Sequence, residues 1–113
     1  MANNTLRIAG PTTFIAVTAT SSTSVTVTPT TPDNVSFASF LNVGTKACAV
    51  NISSLATAPA AVFPAAGTPG NFVLPASMLV PVVLAVPQTA FSVTAICGGS
   101  DTTTLLVTPV ENQ

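Results

Sequence analysis

Apolar and hydroxyl-bearing residues alternate along most of this chain with a period of two, which predicts half-buried β-strands. "SVTVT" (24–28) places Val25 and Val27 on one face and Ser24, Thr26 and Thr28 on the other. "VSFASFLNV" (35–43) groups Val35, Phe37, Leu41 and Val43 and turns Phe40 to the opposite side. "ACAVNI" aligns Cys48, Val50 and Ile52, and "FSVTAIC" aligns Phe91, Val93, Ala95 and Cys97. "TLLVTP" aligns Leu105 and Val107 and turns Leu106 outward. Strands of this kind belong to two packed antiparallel sheets. The expected fold is all-β, an antiparallel β-sandwich or jelly roll of seven to nine strands with little or no helix. Phe37, Leu41, Val50, Ile52, Val93 and Val107 are its expected core.

Two stretches break the rhythm. "PTTPDN" (29–34) marks a boundary, so residues 1–32 read as an N-terminal strand or arm segment and 33–113 as the sandwich body of a single domain. That first segment either completes the sandwich or reaches a neighbour. "SSLATAPAAVFPAAGTPG" (53–70) carries Pro59, Pro64 and Pro69, which exclude a long helix or a central strand. It reads as a long connection with at most a turn of helix near Leu55. Long ordered loops in small domains are often contact surfaces. The most apolar run, "MLVPVVLAV" (78–86), contains Pro81 and is far shorter than the roughly twenty residues a membrane helix needs. A buried strand is expected there.

At 113 residues, folding buries roughly two-thirds of the unfolded surface, enough for a thin core. Only Arg7, Asp33, Lys46, Asp101 and Glu111 carry charge. Serine and threonine supply the surface instead, and such a surface repels its neighbours weakly. Two isolated cations do not displace counterions from a phosphate backbone, so nucleic acid is not an expected partner. The aromatics are six phenylalanines with no tyrosine or tryptophan, which also disfavours base stacking.

Chemistry has little to work with. There is no histidine, and the carboxylates are far apart in sequence. No triad, paired-carboxylate site or phosphate-cradling loop is present in the sequence, and Gly98-Gly99 reads as a turn. Two cysteines are too few for zinc, and no acidic cluster accompanies Asp33 or Asp101 for calcium. Neither an enzyme nor a cofactor is expected. Lys46, the single lysine, reads as a solvated charge just past the Asn42-Val43-Gly44-Thr45 turn. Cys48 and Cys97 both fall on inward faces. They admit either a disulfide across the core or two buried thiols, and a cytosolic origin favours the thiols.

"FLNVGTKACAVNIS", "FPAAGTPGNFVLPASM", "FSVTAIC" and the ending "TTTLLVTPVE" together resemble small β-rich virion proteins of tailed bacteriophages. In such proteins an asparagine–glycine–threonine turn leads into a strand, a P-x-A-G-x-P loop follows, and a threonine-rich strand closes the chain. The resemblance covers residues 35–111, with Pro109-Val110-Glu111 standing where that family has glycines. It implies a capsid decoration or cement protein that binds the major capsid protein on the virion surface, made in the host bacterial cytoplasm without a signal sequence. A receptor- or glycan-binding module of a head or tail fibre, or a minor neck or tail component, is the alternative. The neutral surface, an outward Phe40 and Leu106, and the proline-rich loop predict a homo-oligomer, a trimer or dimer, with no membrane association. Interface candidates are Leu6 and Arg7 on the arm, Phe63 and Phe72 flanking the loop, and Phe40 and Leu106 on the strands.

Overall fold

The computed structural model describes residues 6–22, 24–28, 37–54, 57–87 and 90–112. The expected helical turn near Leu55, the 29–34 boundary and Val35 lie outside these residues. Nine strands occur among the described residues: β1 (Leu6–Ile8), β2 (Thr13–Val17), β3 (Val25–Val27), β4 (Phe37–Asn42), β5 (Cys48–Ser53), β6 (Phe72–Leu74), β7 (Val82–Ala85), β8 (Phe91–Cys97) and β9 (Thr103–Asn112). No helix occurs among the described residues.

Strands β1 and β2 run in succession along one edge of β9, and β4 and then β7 complete a five-stranded sheet. The second sheet has the order β3-β8-β5-β6. All pairings are antiparallel. The pairs nest: β1/β2 with β9, β3 with β8, β4 with β7, β5 with β6. The chain is therefore a long hairpin, folded at β5–β6 and rolled so that its arms fall alternately in two sheets. That is the jelly-roll form of the β-sandwich.

The N-terminal segment completes the sandwich, with β1 and β2 on β9 and β3 on β8. Its edge is interrupted once. Ile8 pairs with Val110 and Thr13 with Val107, so residues 9–12, containing Gly10-Pro11, face only residues 108 and 109. The bulge has a cause in β9. The Pro109 carbonyl accepts the Ala9 N–H at 2.8 Å. In an antiparallel strand a residue's N–H and C=O point the same way, so the donor that Pro109 lacks would have faced this edge. Pairing yields there and resumes beyond.

Between the sheets lie Phe40, Phe91, Leu74, Leu105, Val17, Val27, Val93 and Val107, all fully buried. Val50 is buried with them, and Ile52 packs against this core from its margin. The expected faces of β5, β8 and β9 are the observed ones. Strand β4 is the reverse of the expectation: Ala38, Phe40 and Asn42 point inward, while Phe37, Ser39 and Leu41 face out and are half-buried. The outward placement of Phe40 is thereby corrected, as is the core placement of Phe37 and Leu41. The cause is Asn42. Its side chain closes the following turn from inside, and with the strand's period of two it carries Phe40 inward as well.

The run 78–86 is also corrected. It is no buried strand: β7 pairs only with β4 and ends the sheet, turning Val82 and Leu84 toward the core and Val83 outward. Leu79, just before it, is 97 % exposed.

Candidate interaction surface

The two sheets treat their outer faces differently. On the four-stranded sheet the outward positions Ala49, Ser92 and Thr94 are buried, because the proline-rich loop lies over them. Thr94 donates its hydroxyl proton to the Pro59 carbonyl at 2.6 Å, and the Asn51 amide reaches the same carbonyl at 3.3 Å. Ser24 and Ser21 accept the Ala58 and Ala61 N–H groups, each at 2.9 Å. The loop closes on itself where Val62 N–H meets the Asn71 side chain at 2.6 Å and Asn71 N–H meets the Val62 carbonyl at 2.8 Å. Prolines supply no N–H groups of their own, so neighbouring alanines and side-chain amides carry this docking.

No hydrogen-bonded loop of this kind lies over the five-stranded sheet among the described residues, although Val110 on its outer face is buried. Register assembles its outer face into rows. Ile8, Val110, Phe37 and Ala85 are successive cross-strand partners and make the first. Thr12, Thr108, Ser39 and Val83 make the second, where the Thr12 and Thr108 hydroxyls meet at 2.7 Å. Phe14, Leu106 and Leu41 make the third. Phe14 and Ile8 are each 65 % exposed. An antiparallel sheet facing water normally alternates apolar-in with polar-out. Here the outside is apolar too, and no charged residue stands in any of the three rows.

The expected interface residues divide accordingly. Leu106 lies at the centre of this face, between Phe14 and Leu41. Phe40 is on the opposite side of the same sheet, in the core. Phe63 is half-buried, with its ring lying over Gly98. Phe72 is exposed on the edge strand β6. Leu6 and Arg7 belong to β1, opposite Asn112 and Glu111; their side chains lie outside the described residues. Ile8, Phe14, Leu41 and Val83 were missed as surface residues. The alternation of "TFIAV" carried a signal for Phe14, since Ile15 and Val17 occupy the inward phase.

The ionisable groups are dispersed. Lys46 Nζ stands 3.9 Å from Asp101 Oδ1 at the surface, a pair of the kind worth little to stability. No group of three potential metal ligands and no helix long and apolar enough to cross a membrane occurs among the described residues. Gly99, at φ 59°, and the Asp101 N–H to Gly98 carbonyl bond at 3.1 Å make the glycine pair a turn.

Cys48 and Cys97 are direct cross-strand partners on β5 and β8, both buried and both free thiols. Burial, with a smaller contribution from Cys97, pushes Cys48 up to about 12. Burial and then Asp101 raise Cys97 as well. An alkylating reagent should therefore label neither cysteine in the folded protein and both after denaturation without reductant. Failure to label the denatured chain would show a disulfide instead. Alkali should work against the fold. Unfolded thiols ionise above about pH 8.5 while the folded chain keeps its protons. Stability then falls as pH climbs toward the folded value of Cys48.

No protein-family model, curated protein or solved structure matches this chain.

Proposed function

We propose that this protein is a non-enzymatic structural component of a tailed-phage virion, a capsid decoration or cement protein that holds to the major capsid protein lattice. The observation that carries the reading is the neutral, apolar outside of a fold whose only described ion pair is a surface one. A protein whose task is adhesion needs no reactive cluster, and its stability rises with lattice occupancy by mass action. The jelly roll is compatible, since it recurs in viral capsid domains, although fold alone does not assign function. The sequence resemblance supplies the phage context and the virion location.

The proline-rich loop packs on its own sheet through its backbone and Phe63, and β1 pairs with β9. Shell contact accordingly falls to what remains exposed beside them: Val62 and Phe72, and Leu79 with Val80. Lectins use the same architecture, so a glycan- or receptor-binding fibre module is the second reading. The absence of tryptophan and tyrosine weighs against it.

Purified protein added to undecorated capsids should bind at lattice-scale copy number. Binding should persist in molar salt, where charges are screened beyond about 3 Å. A handful of copies per particle would favour the fibre or neck reading. Release at modest ionic strength would overturn neutral adhesion.

A further inference from the structure

We infer that Cys48 and Cys97 form a modification site, a cross-strand pair that a small disulfide oxidant closes reversibly into a covalent bond between β5 and β8. The two residues face each other in the register of these strands, both on the inner face and both buried as free thiols. The backbone shows what kind of pair they make. The Ala95 carbonyl accepts the Ser22 N–H at 2.8 Å, and the Ala95 N–H donates to the Ser22 hydroxyl at 3.0 Å. Two residues on, the Cys97 N–H donates to the Thr18 carbonyl at 2.8 Å. In an antiparallel strand both backbone groups of a residue point the same way, so those of Cys97 point away from β5. Cys48 and Cys97 are therefore a non-hydrogen-bonded pair, the closer of the two kinds, with α-carbons about 4.5 Å apart. A disulfide spans α-carbons roughly 4.4–6.8 Å apart. The bond is within reach with the backbone left in place.

The pair occupies the last rung of its ladder, since β5 begins at Cys48 and β8 ends at Cys97. Beyond it lie the connections 43–47 and 98–102, joined at the surface by Lys46 and Asp101 at 3.9 Å, with the Phe63 ring over Gly98. An exposed ion pair is a weak fastening, and ladder ends open more readily than ladder centres. Opening this end admits the oxidant without unfolding the sandwich. Burial raises both thiols above their ordinary value and leaves little thiolate while the end is closed, so the reaction takes hours rather than seconds. A brief alkylation meets the closed state; hours in an oxidising buffer sample the open one.

The electrons balance with glutathione disulfide as the oxidant. One cysteine, as its thiolate, attacks a glutathione sulfur; the glutathione S–S bond breaks and one glutathione thiolate leaves. The other cysteine thiolate attacks the protein sulfur of this mixed disulfide, forming the Cys48–Cys97 bond and displacing the second glutathione. Two electrons pass from the cysteines to glutathione, and the two cysteine protons end on the two glutathione thiols. Cys97 gives up only a weak contact, the 3.9 Å approach of its thiol to the Val17 carbonyl. A pair at the short end of the disulfide range is also readily reduced. Reducing surroundings keep the thiols, and oxidising ones close the bond.

The bond closes residues 48–97 into one loop. Chain entropy for a loop of that length favours closure in the folded chain over the unfolded one by roughly a thousandfold. The short span takes back part of this, so at least about a hundredfold is expected. The inference is independent of the capsid reading, because it concerns two side chains of one molecule.

The test equilibrates the full wild-type chain in glutathione buffers of graded oxidised-to-reduced ratio, folded and in denaturant, with acid quenching and mass spectrometry. The folded chain should become lighter by two hydrogens while remaining a monomer, show a Cys48–Cys97 cross-link in its peptide map, and revert in reducing buffer. Its equilibrium constant with glutathione should favour the disulfide at least about a hundredfold more than that of the denatured chain. By the same thermodynamic cycle, the oxidised protein should unfold at a higher denaturant concentration than the reduced one. Three results would overturn the inference: a folded chain that keeps both thiols at every ratio, glutathione adducts or chain-to-chain bonds in place of the internal one, or a folded chain no easier to oxidise than the denatured one.

Discussion

Phe40→Ala should lower the unfolding free energy by about 3–5 kcal/mol, the usual cost of removing a fully buried aromatic ring. Phe37→Ala, three residues earlier, should cost only about 1 kcal/mol. The difference follows from one observation: Phe40 is wholly enclosed among core side chains, whereas Phe37 is half-buried on the outer face. Composition and β-propensity at the two sites are identical, so only the phase of β4 separates them. A one-residue slip of this strand would exchange the two effects, because every side chain would change faces. Denaturant titration of the two variants measures the contrast directly. Equal losses, or a larger loss for Phe37→Ala, would mean that the pairing Phe40↔Val107 is wrong.

That contrast also shows where the sequence was legible. The phases of β5, β8 and β9 follow from alternation, since each places its larger apolar groups on one side. In β4 the same rule points the wrong way. Val35, Phe37, Leu41 and Val43 outnumber the apolar residues of the other phase, and Asn42 looks like an outward position. An inward asparagine becomes acceptable only when its partners are known, and those are the turn that follows and Thr103, 61 residues away. The long loop was legible as a loop from its prolines. Its resting place was not, because Ser21, Ser24 and Thr94 are anchors remote in sequence. The interaction face is the extreme case. Leu106 was readable as outward, yet its neighbours Phe14 and Leu41 come from two other strands. Alternation states which side of a strand a residue takes; only pairing states what stands beside it.

The second large effect is expected at Asn42, where the turn "NVGTK" is fastened to the core. The fully buried Asn42 side chain makes three hydrogen bonds. Its amide nitrogen donates to the Lys46 carbonyl at 2.8 Å, and its oxygen accepts from Gly44 N–H at 3.2 Å and from the Thr103 hydroxyl at 2.7 Å. The backbone is engaged as well, its carbonyl accepting Met78 N–H at 2.9 Å. Gly44 is required by the same closeness, for a β-carbon there would run into the Thr103 side chain and backbone. Asn42→Leu keeps approximate volume but strands the Thr103 hydroxyl and the Gly44 N–H. At about 1–3 kcal/mol for each buried unsatisfied group, a total loss of about 2–6 kcal/mol is expected, with the Lys46 carbonyl recovering part of its bonding from water. Asn42→Asp is the sharper test. It keeps both accepting contacts but sets an oxygen against the Lys46 carbonyl, where a donor is needed. Burial and that carbonyl both disfavour the charged form, so the introduced carboxyl is held above its ordinary value of about 3.9 in the folded state. A raised folded value means that stability is greatest at low pH and is lost as pH rises through that value. The deficit of Asn42→Asp relative to the wild type should therefore be large at neutral pH and shrink on acidification, as the protonated carboxyl regains a donor for Lys46. Denaturant titrations of both proteins at several pH values give the comparison. A deficit independent of pH, or an Asn42→Leu protein as stable as the wild type, would show that the asparagine is not what ties this turn to the core.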